Sequence, residues 1–225
     1  MRAYSVCLAA LALVASASPA LAQDAEVAFN VAASSDYVFR GFSQTNEDPA
    51  LSGGIDLTSG RFYFGAWASN VDFGDETDAE LDFYGGYRTE AGGYALDLGV
   101  VSYIYLDDAD GSDYDYVELK AAASRAIGPA TFGAVVYYSP DFFGADDEAV
   151  YVEGNAAFTP ADKWTVSAAL GHQWLDVSSD YLTWNVGLAY ALTDNLVLDA
   201  RYHDTDVDNV AIANGRVVGT VKLLF

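Results

Sequence analysis

Basic residues, cysteine and long apolar runs are scarce in this sequence, and each scarcity excludes something. Lys and Arg number 10 against 33 Asp and Glu, a formal charge of −23. So acidic a chain repels nucleic acid, and it has no basic patch with which to bind it. The single cysteine, Cys7, stands in the first apolar segment and lacks the small-residue context of a lipoprotein cleavage site. The rest of the chain can form no disulfide, so stability comes from elsewhere. Beyond that first segment no apolar run nears the roughly 18 residues of a transmembrane helix. There is no phosphate-binding glycine loop before a helix, no Cys or His metal cluster and no nucleotide signature, so no cofactor is expected. No linker or low-complexity tract divides the chain.

What is present starts with an export signal. Met1 and Arg2 precede an apolar run from Val6 to Val14, then a small-residue stretch ending Ala20-Leu21-Ala22. This is the pattern of a signal peptide cleaved after residue 22. Residues 23–225 then form one domain, with a charge of −24 once Arg2 has left. Hydrophobic residues make up 52% of the chain and aromatic ones 14%, yet they are dispersed. A transmembrane β-barrel needs that arrangement, because lipid meets only every second residue of a strand.

The periodicity is close to two throughout. It predicts an all-β, antiparallel up-and-down transmembrane barrel of about twelve strands. The predicted strands cover 26–40, 50–58, 61–71, 80–89, 94–106, 115–126, 131–139, 149–158, 163–175, 181–191, 195–203 and 214–225. The last strand, ending at Phe225, must pair with the first so that no edge is left open in lipid. Connections alternate in kind. Ser59-Gly60, Glu90 to Gly93, Gly128-Pro129, Thr159 to Asp162 and Thr193-Asp194 are short and suit periplasmic turns. Segments 43–49, 72–79, 107–114, 140–148, 176–180 and 204–213 are longer, contain no Lys or Arg, and with Asp115 hold about 20 of the 33 acids. These suit outer loops, none long enough for a large folded plug.

Alternation assigns faces. Val217, Val221, Leu223 and Phe225 oppose Arg216, Thr220 and Lys222, and Trp164, Val166 and Leu170 oppose Thr165, Ser167 and Gln173. The apolar sets should face lipid. Arg125, near a strand end, can snorkel to the interface. Tyr94, Phe132, Phe158, Trp164, Tyr190 and Phe225 mark a periplasmic aromatic girdle. Tyr37, Phe39, Tyr138, Trp174, Trp184 and Tyr202 mark an outer one.

The segment SSDYVFRGFSQT at 34–45, with GGIDL at 53–57, WASNVDFG at 67–74 and ELDFYGGYR at 80–88, resembles the TorF family of porins, also described as a Gcw-type conserved bacterial outer-membrane protein family. The similarity is densest over residues 26–106. It implies an outer-membrane barrel that passes solutes. The terminal VKLLF also resembles the aromatic-ended signal by which the barrel-assembly machinery recognises its clients.

Parity places acids Asp36, Asp56, Asp82, Asp97, Glu118, Glu153 and Asp199 in the lumen, with bases Arg40, Arg88, Lys120, Arg201, Arg216 and Lys222. Charges there need partners or water. Either they line a narrow aqueous channel or they pair into a ladder that closes it. Arg40, on the face of Asp36 near the outer end of the first strand, is the candidate for a constriction opposed by carboxylates. A structural ion pair pinning that strand is the competing reading.

The acidic loops should gather cations at the mouth. Asp107, Asp108, Asp110, Asp113 and Asp115 form the densest group, a weak candidate for calcium because the bidentate Glu of an EF-hand is missing. The partners expected are outer-membrane lipid and small solutes or cations. A hydrolase is the further alternative. His172 falls on the lipid side with no serine two positions away, and His203 and Asp204 are strand neighbours pointing to opposite faces, so neither makes a catalytic pair. A non-conducting structural or adhesion barrel is the third reading.

Overall fold

The computed structural model describes residues 25–107, 113–176 and 178–225. The expected signal peptide, Asp108 and Asp110 lie outside the described residues. Twelve strands form the wall: β1 (Glu26–Ser34), β4 (Ala50–Ser59), β5 (Phe62–Asn70), β6 (Ala79–Ala91), β7 (Tyr94–Leu106), β8 (Tyr116–Ile127), β9 (Ala130–Ser139), β10 (Ala149–Ala161), β11 (Trp164–Leu175), β12 (Tyr181–Ala191), β13 (Leu196–Thr205) and β14 (Arg216–Leu224). Two short strands, β2 (Val38–Phe39) and β3 (Phe42–Ser43), form a separate hairpin between β1 and β4. One turn of 3-10 helix, Ala211–Ala213, precedes β14.

Each wall strand pairs antiparallel with its neighbours in the chain, and β14 pairs with β1 to close the barrel. Closure runs to the last residue. Phe29 N–H donates to the Phe225 carbonyl at 3.2 Å, and Phe225 N–H donates to that of Phe29 at 2.9 Å. A closed sheet satisfies its backbone groups internally, which lipid requires.

The alternation sorts as the sequence predicts. Val217, Val221 and Phe225 are exposed on the outer face, while Thr220 and Arg216 turn inward. Leu170, Val166 and Trp164 are likewise outward, and Gln173 is fully buried. Arg125 lies outward with its guanidinium over the Tyr94 ring, 5.2 Å from the centroid. At the short-turn end, Ala91 pairs with Tyr94 across Gly92-Gly93, whose φ values of 60° and 80° build the two-residue turn that matches strand twist.

The first strand departs from expectation. It stops at Ser34 rather than residue 40. Residues 35–49 leave the wall and fold into the barrel, so the first connection is far longer than the predicted 43–49. The cause is a turn inside the motif. Val38 pairs with Ser43 and Phe39 with Phe42, leaving Arg40-Gly41 as a two-residue loop with φ values of 46° and 92°. Positive φ at both positions is the hairpin geometry, and a continuous strand cannot pass through it. The first connection, residues 35–49, thus contributes a short inward hairpin in place of the loop expected at 43–49. Tyr37 and Phe39 also leave the outer girdle. Tyr37 packs edge-on against Trp67, and Phe39 against Tyr103.

Candidate functional site

The hairpin crosses the lumen from β1 to the opposite wall. In the closed order β9 lies six strands from β1 either way round, and the Arg40 guanidinium sits over Tyr137 of β9, 5.0 Å from its centroid. It also lies 4.3 Å from the Tyr151 ring and 4.7 Å from that of Phe39. Such stacking suits the weakly hydrated, planar guanidinium.

Arg40 grips Glu118 with both terminal nitrogens, Nη1 to Oε1 at 2.8 Å and Nη2 to Oε2 at 2.7 Å. Nη1 also donates to Gln173 Oε1 at 3.0 Å, and the Tyr103 hydroxyl donates to Glu118 Oε2 at 3.0 Å. The pair is nearly out of water, its side chains 6% and 1% exposed. Arg40 therefore reaches the lumen carboxylate predicted for it, but from a turn and not from a strand face.

Asp36 anchors the root of the hairpin. Ser43 Oγ and Thr45 Oγ1 donate to its Oδ1 at 2.7 and 3.0 Å, and Arg216 Nη1 donates to Oδ2 at 3.0 Å. Arg216 also reaches Glu47 at 3.4 Å. The tip docks on β12 and β13. Phe42 packs against Tyr181, and a Cβ on Gly41 would collide with Thr183 and Thr205. Tyr37 donates to Glu80 Oε1 at 3.0 Å. Beside this region Tyr103, Tyr105, Tyr116 and Val71 form a buried cluster that Phe73, Phe142 and Phe143 extend. The outer half of the lumen is thus filled by aromatic rings and sealed charges.

The inner half is different. Asp97 accepts from Tyr63 at 2.7 Å, Lys120 at 2.9 Å and Arg88 at 3.4 Å. Asp56 accepts the Tyr84 hydroxyl at 2.7 Å. Arg201 donates to Asn185 at 2.6 Å, Ser167 at 2.9 Å and Asp199 at 3.3 Å. Glu153, higher up, accepts from Tyr151 at 2.9 Å and Asn155 at 3.1 Å. Lys222 points inward on β14, opposite Ala32 and Val197. Here water reaches some of the charges: the Arg88 and Lys120 side chains are 30% and 19% exposed, while Arg201 and Asp199 are buried. Both groups are mixed in sign: Arg40 and Arg216 stand among Asp36, Glu80, Asp82 and Glu118, and Arg88, Lys120, Arg201 and Lys222 among Asp56, Asp97 and Asp199.

Glu80 and the lumen tyrosines were missed by the sequence reading. Glu80 shares the parity of Asp82, which could have found it. Tyr63, Tyr84, Tyr103 and Tyr151 alternate in phase with the inward polar residues, but tyrosine serves a girdle equally well. Among the outer-loop candidates, Asp113 and Asp115 act on backbone. Asp115 accepts from Tyr105 N–H at 2.8 Å, and Asp113 from Asp115 N–H at 3.3 Å. Among the described residues no group of three or more His, Cys, Asp or Glu could hold a metal ion. In the adjacent loop, the Thr77 amide and the Tyr114 hydroxyl hold the Asp75 carboxyl below the usual range. His172 packs at a tilt against Trp174, centroids 4.1 Å apart, on the outer face, and Asp204 accepts from Tyr202 at 2.7 Å, not from His203.

A family model described as "Bacterial protein of unknown function (Gcw_chp)" matches residues 17–223. The chain belongs to this family. No curated protein matches this Gcw_chp member by sequence. Its fold is that of known channels. The KdgM porin aligns with a TM-score of 0.61 at 9% identity, over 88% of this chain and 98% of the porin. A KdgM porin in complex with disordered oligogalacturonate aligns with a TM-score of 0.62 at 8% identity, over 88% and 98%. An outer membrane channel from Pseudomonas putida F1 aligns with a TM-score of 0.56 at 14% identity, over 93% of this chain and all of that one, 100%. The Gcw_chp fold is therefore a closed antiparallel barrel of the porin kind, built on a sequence far removed from theirs.

Proposed function

We propose that this protein is an outer-membrane porin, akin to the TorF porins, whose inward hairpin sets the width and selectivity of the path. The observation that carries the reading is the contrast between the two halves of the lumen. The inner half holds the Arg88–Asp97–Lys120 group, which solvent reaches, while the outer half is narrowed by residues 35–49 packed against aromatic side chains of β7 and β8. Twelve strands lie between barrels that side chains fill and those that leave a wide channel, so a single hairpin is enough to set the constriction.

The chain is exported, its signal peptide leaves after Ala22, and its Phe225 end is read by the barrel-assembly machinery. The path takes small hydrophilic solutes or ions. Acidic outer loops and the acidic hairpin tier favour cations at the mouth. The oligogalacturonate of the KdgM complex is not carried over, since its carboxylates would meet this acidic half first. On this reading the protein performs no hydrolysis: Asp204 turns to Tyr202, and the carboxylate facing His203, Asp36, is already held by Ser43, Thr45 and Arg216.

The buried Arg40–Glu118 pair favours one rival, a barrel closed for structural purposes. Liposome swelling separates them. Vesicles carrying the purified protein should swell in isotonic solutions of small sugars faster than empty ones, with rates falling as the sugar grows. Rates equal to those of empty vesicles for every solute would favour the closed barrel.

A further inference from the structure

Glu80 and Asp82 stand outside the salt-bridged network. They occupy successive lumen-facing positions at the outer end of β6, and both are buried. One oxygen of Glu80 accepts from Tyr37. Glu80 Oε2 and Asp82 Oδ1 are buried with no donor of their own, and the two carboxyls and the Tyr105 hydroxyl lie close enough to interact. None of the ion pairs described above includes either residue. Arg40 is not free to serve them, since both its terminal nitrogens are engaged by Glu118 and Gln173.

A neutral side chain points to the same place. Ser69 lies directly across from Glu80 in the β5–β6 register and so shares its lumen face. It is 4% exposed, and its hydroxyl has no partner. Thr77, in the turn that leads into β6, is buried with an unpartnered hydroxyl as well. Of the five such orphaned polar atoms among the described residues, four belong to Ser69, Thr77, Glu80 and Asp82. Folded proteins pair nearly all their buried polar groups, and two adjacent carboxylates without a counter-charge repel one another. Either a proton shared between the two carboxyls or a cation held by them would balance the pair.

We propose that Ser69, Glu80 and Asp82 form a binding site for one hard metal cation of the calcium type, set against the inward hairpin. Two carboxylates and a hydroxyl, with no sulfur or imidazole donor, select such an ion over softer metals. The cation supplies the missing charge and takes up the orphaned oxygens. Because Glu80 also holds Tyr37, it braces the hairpin. The site does not depend on whether the lumen conducts.

The test is calorimetric titration of the chelator-stripped, full barrel with Ca2+ in about 0.5 M NaCl, which screens the exposed acidic loops but not a buried site. The expected result is one saturable equivalent, lost in Glu80→Gln/Asp82→Asn, weakened about tenfold in Ser69→Ala, and retained in the loop variant Asp208→Asn. Ca2+ should also raise the melting temperature of the wild type and not of the double variant. Absence of saturable binding would overturn the proposal and leave a shared proton to balance the pair. So would full binding by the double variant. If the double variant fails to fold, Ser69→Ala decides, since it removes only a neutral donor. Unchanged Ca2+ affinity there would also count against the site.

Discussion

Arg40 combines two costly features. Its φ of 46° is left-handed, which costs a non-glycine residue about 1–2 kcal/mol. Its charge is withdrawn from water, a cost that only excellent pairing offsets. Both hold because Glu118, Gln173 and three rings surround the guanidinium. Removing one partner strands the other. Arg40→Ala should therefore destabilise the barrel by about 3–5 kcal/mol, the usual result of leaving a buried charge alone. Arg40→Ala/Glu118→Gln should recover part of that loss. Urea unfolding followed by tryptophan fluorescence measures both, and an Arg40→Ala single variant as stable as wild type would show that the pair does not hold the hairpin. On the outer surface the single-residue prediction is simpler. Val100, midway along β7 and exposed, should tolerate Arg poorly, at about 2–4 kcal/mol in the same assay.

The hairpin is the element on which the account turns, and Gly41 is its weakest point. Glycine is needed there twice, for a φ of 92° and for close approach to Thr183 and Thr205. Gly41→Val should unseat the tip while leaving the wall strands intact. The expected signature is protease cleavage between residues 35 and 49 under conditions where the wild type resists. This element was also the hardest to read in the sequence. The wall was legible because lipid imposes period two on every strand and charge sorts by loop. Glu118 and Arg216 turn inward from their strands on that basis, while Asp36 does so from beyond the end of β1. The same rule misled at DYVFRGFSQT. The segment continues the alternation of a strand, and only the Arg-Gly turn betrays that it folds back. Arg40 was singled out for its position on a strand it does not belong to. Glu80 and the lumen tyrosines were lost for a related reason: parity assigns a face, but it does not say which polar residues the hairpin will cover.

At the scale of the molecule, charge is distributed along the barrel axis. Outer loops and hairpin tier are acidic, and the inner tier carries a slight excess of bases. A cation entering from outside meets an attractive field before the constriction. Reversal potentials in a KCl gradient should accordingly show cation preference, strongest at low salt and declining as the Debye length falls from about 30 Å at 0.01 M to about 3 Å at 1 M. Preference for chloride at low salt would contradict this charge-based reading.

Residues 35–49, packed against the wall tyrosines, make the constriction. Single-channel recording in planar bilayers tests this most directly, comparing the wild type with a variant in which residues 37–44 are replaced by a short Gly-Ser bridge. Small conductance steps are expected in the wild type and larger ones, with weaker ion selectivity, in the shortened protein. Steps of the same size in both, or a shortened barrel that stays silent, would contradict it.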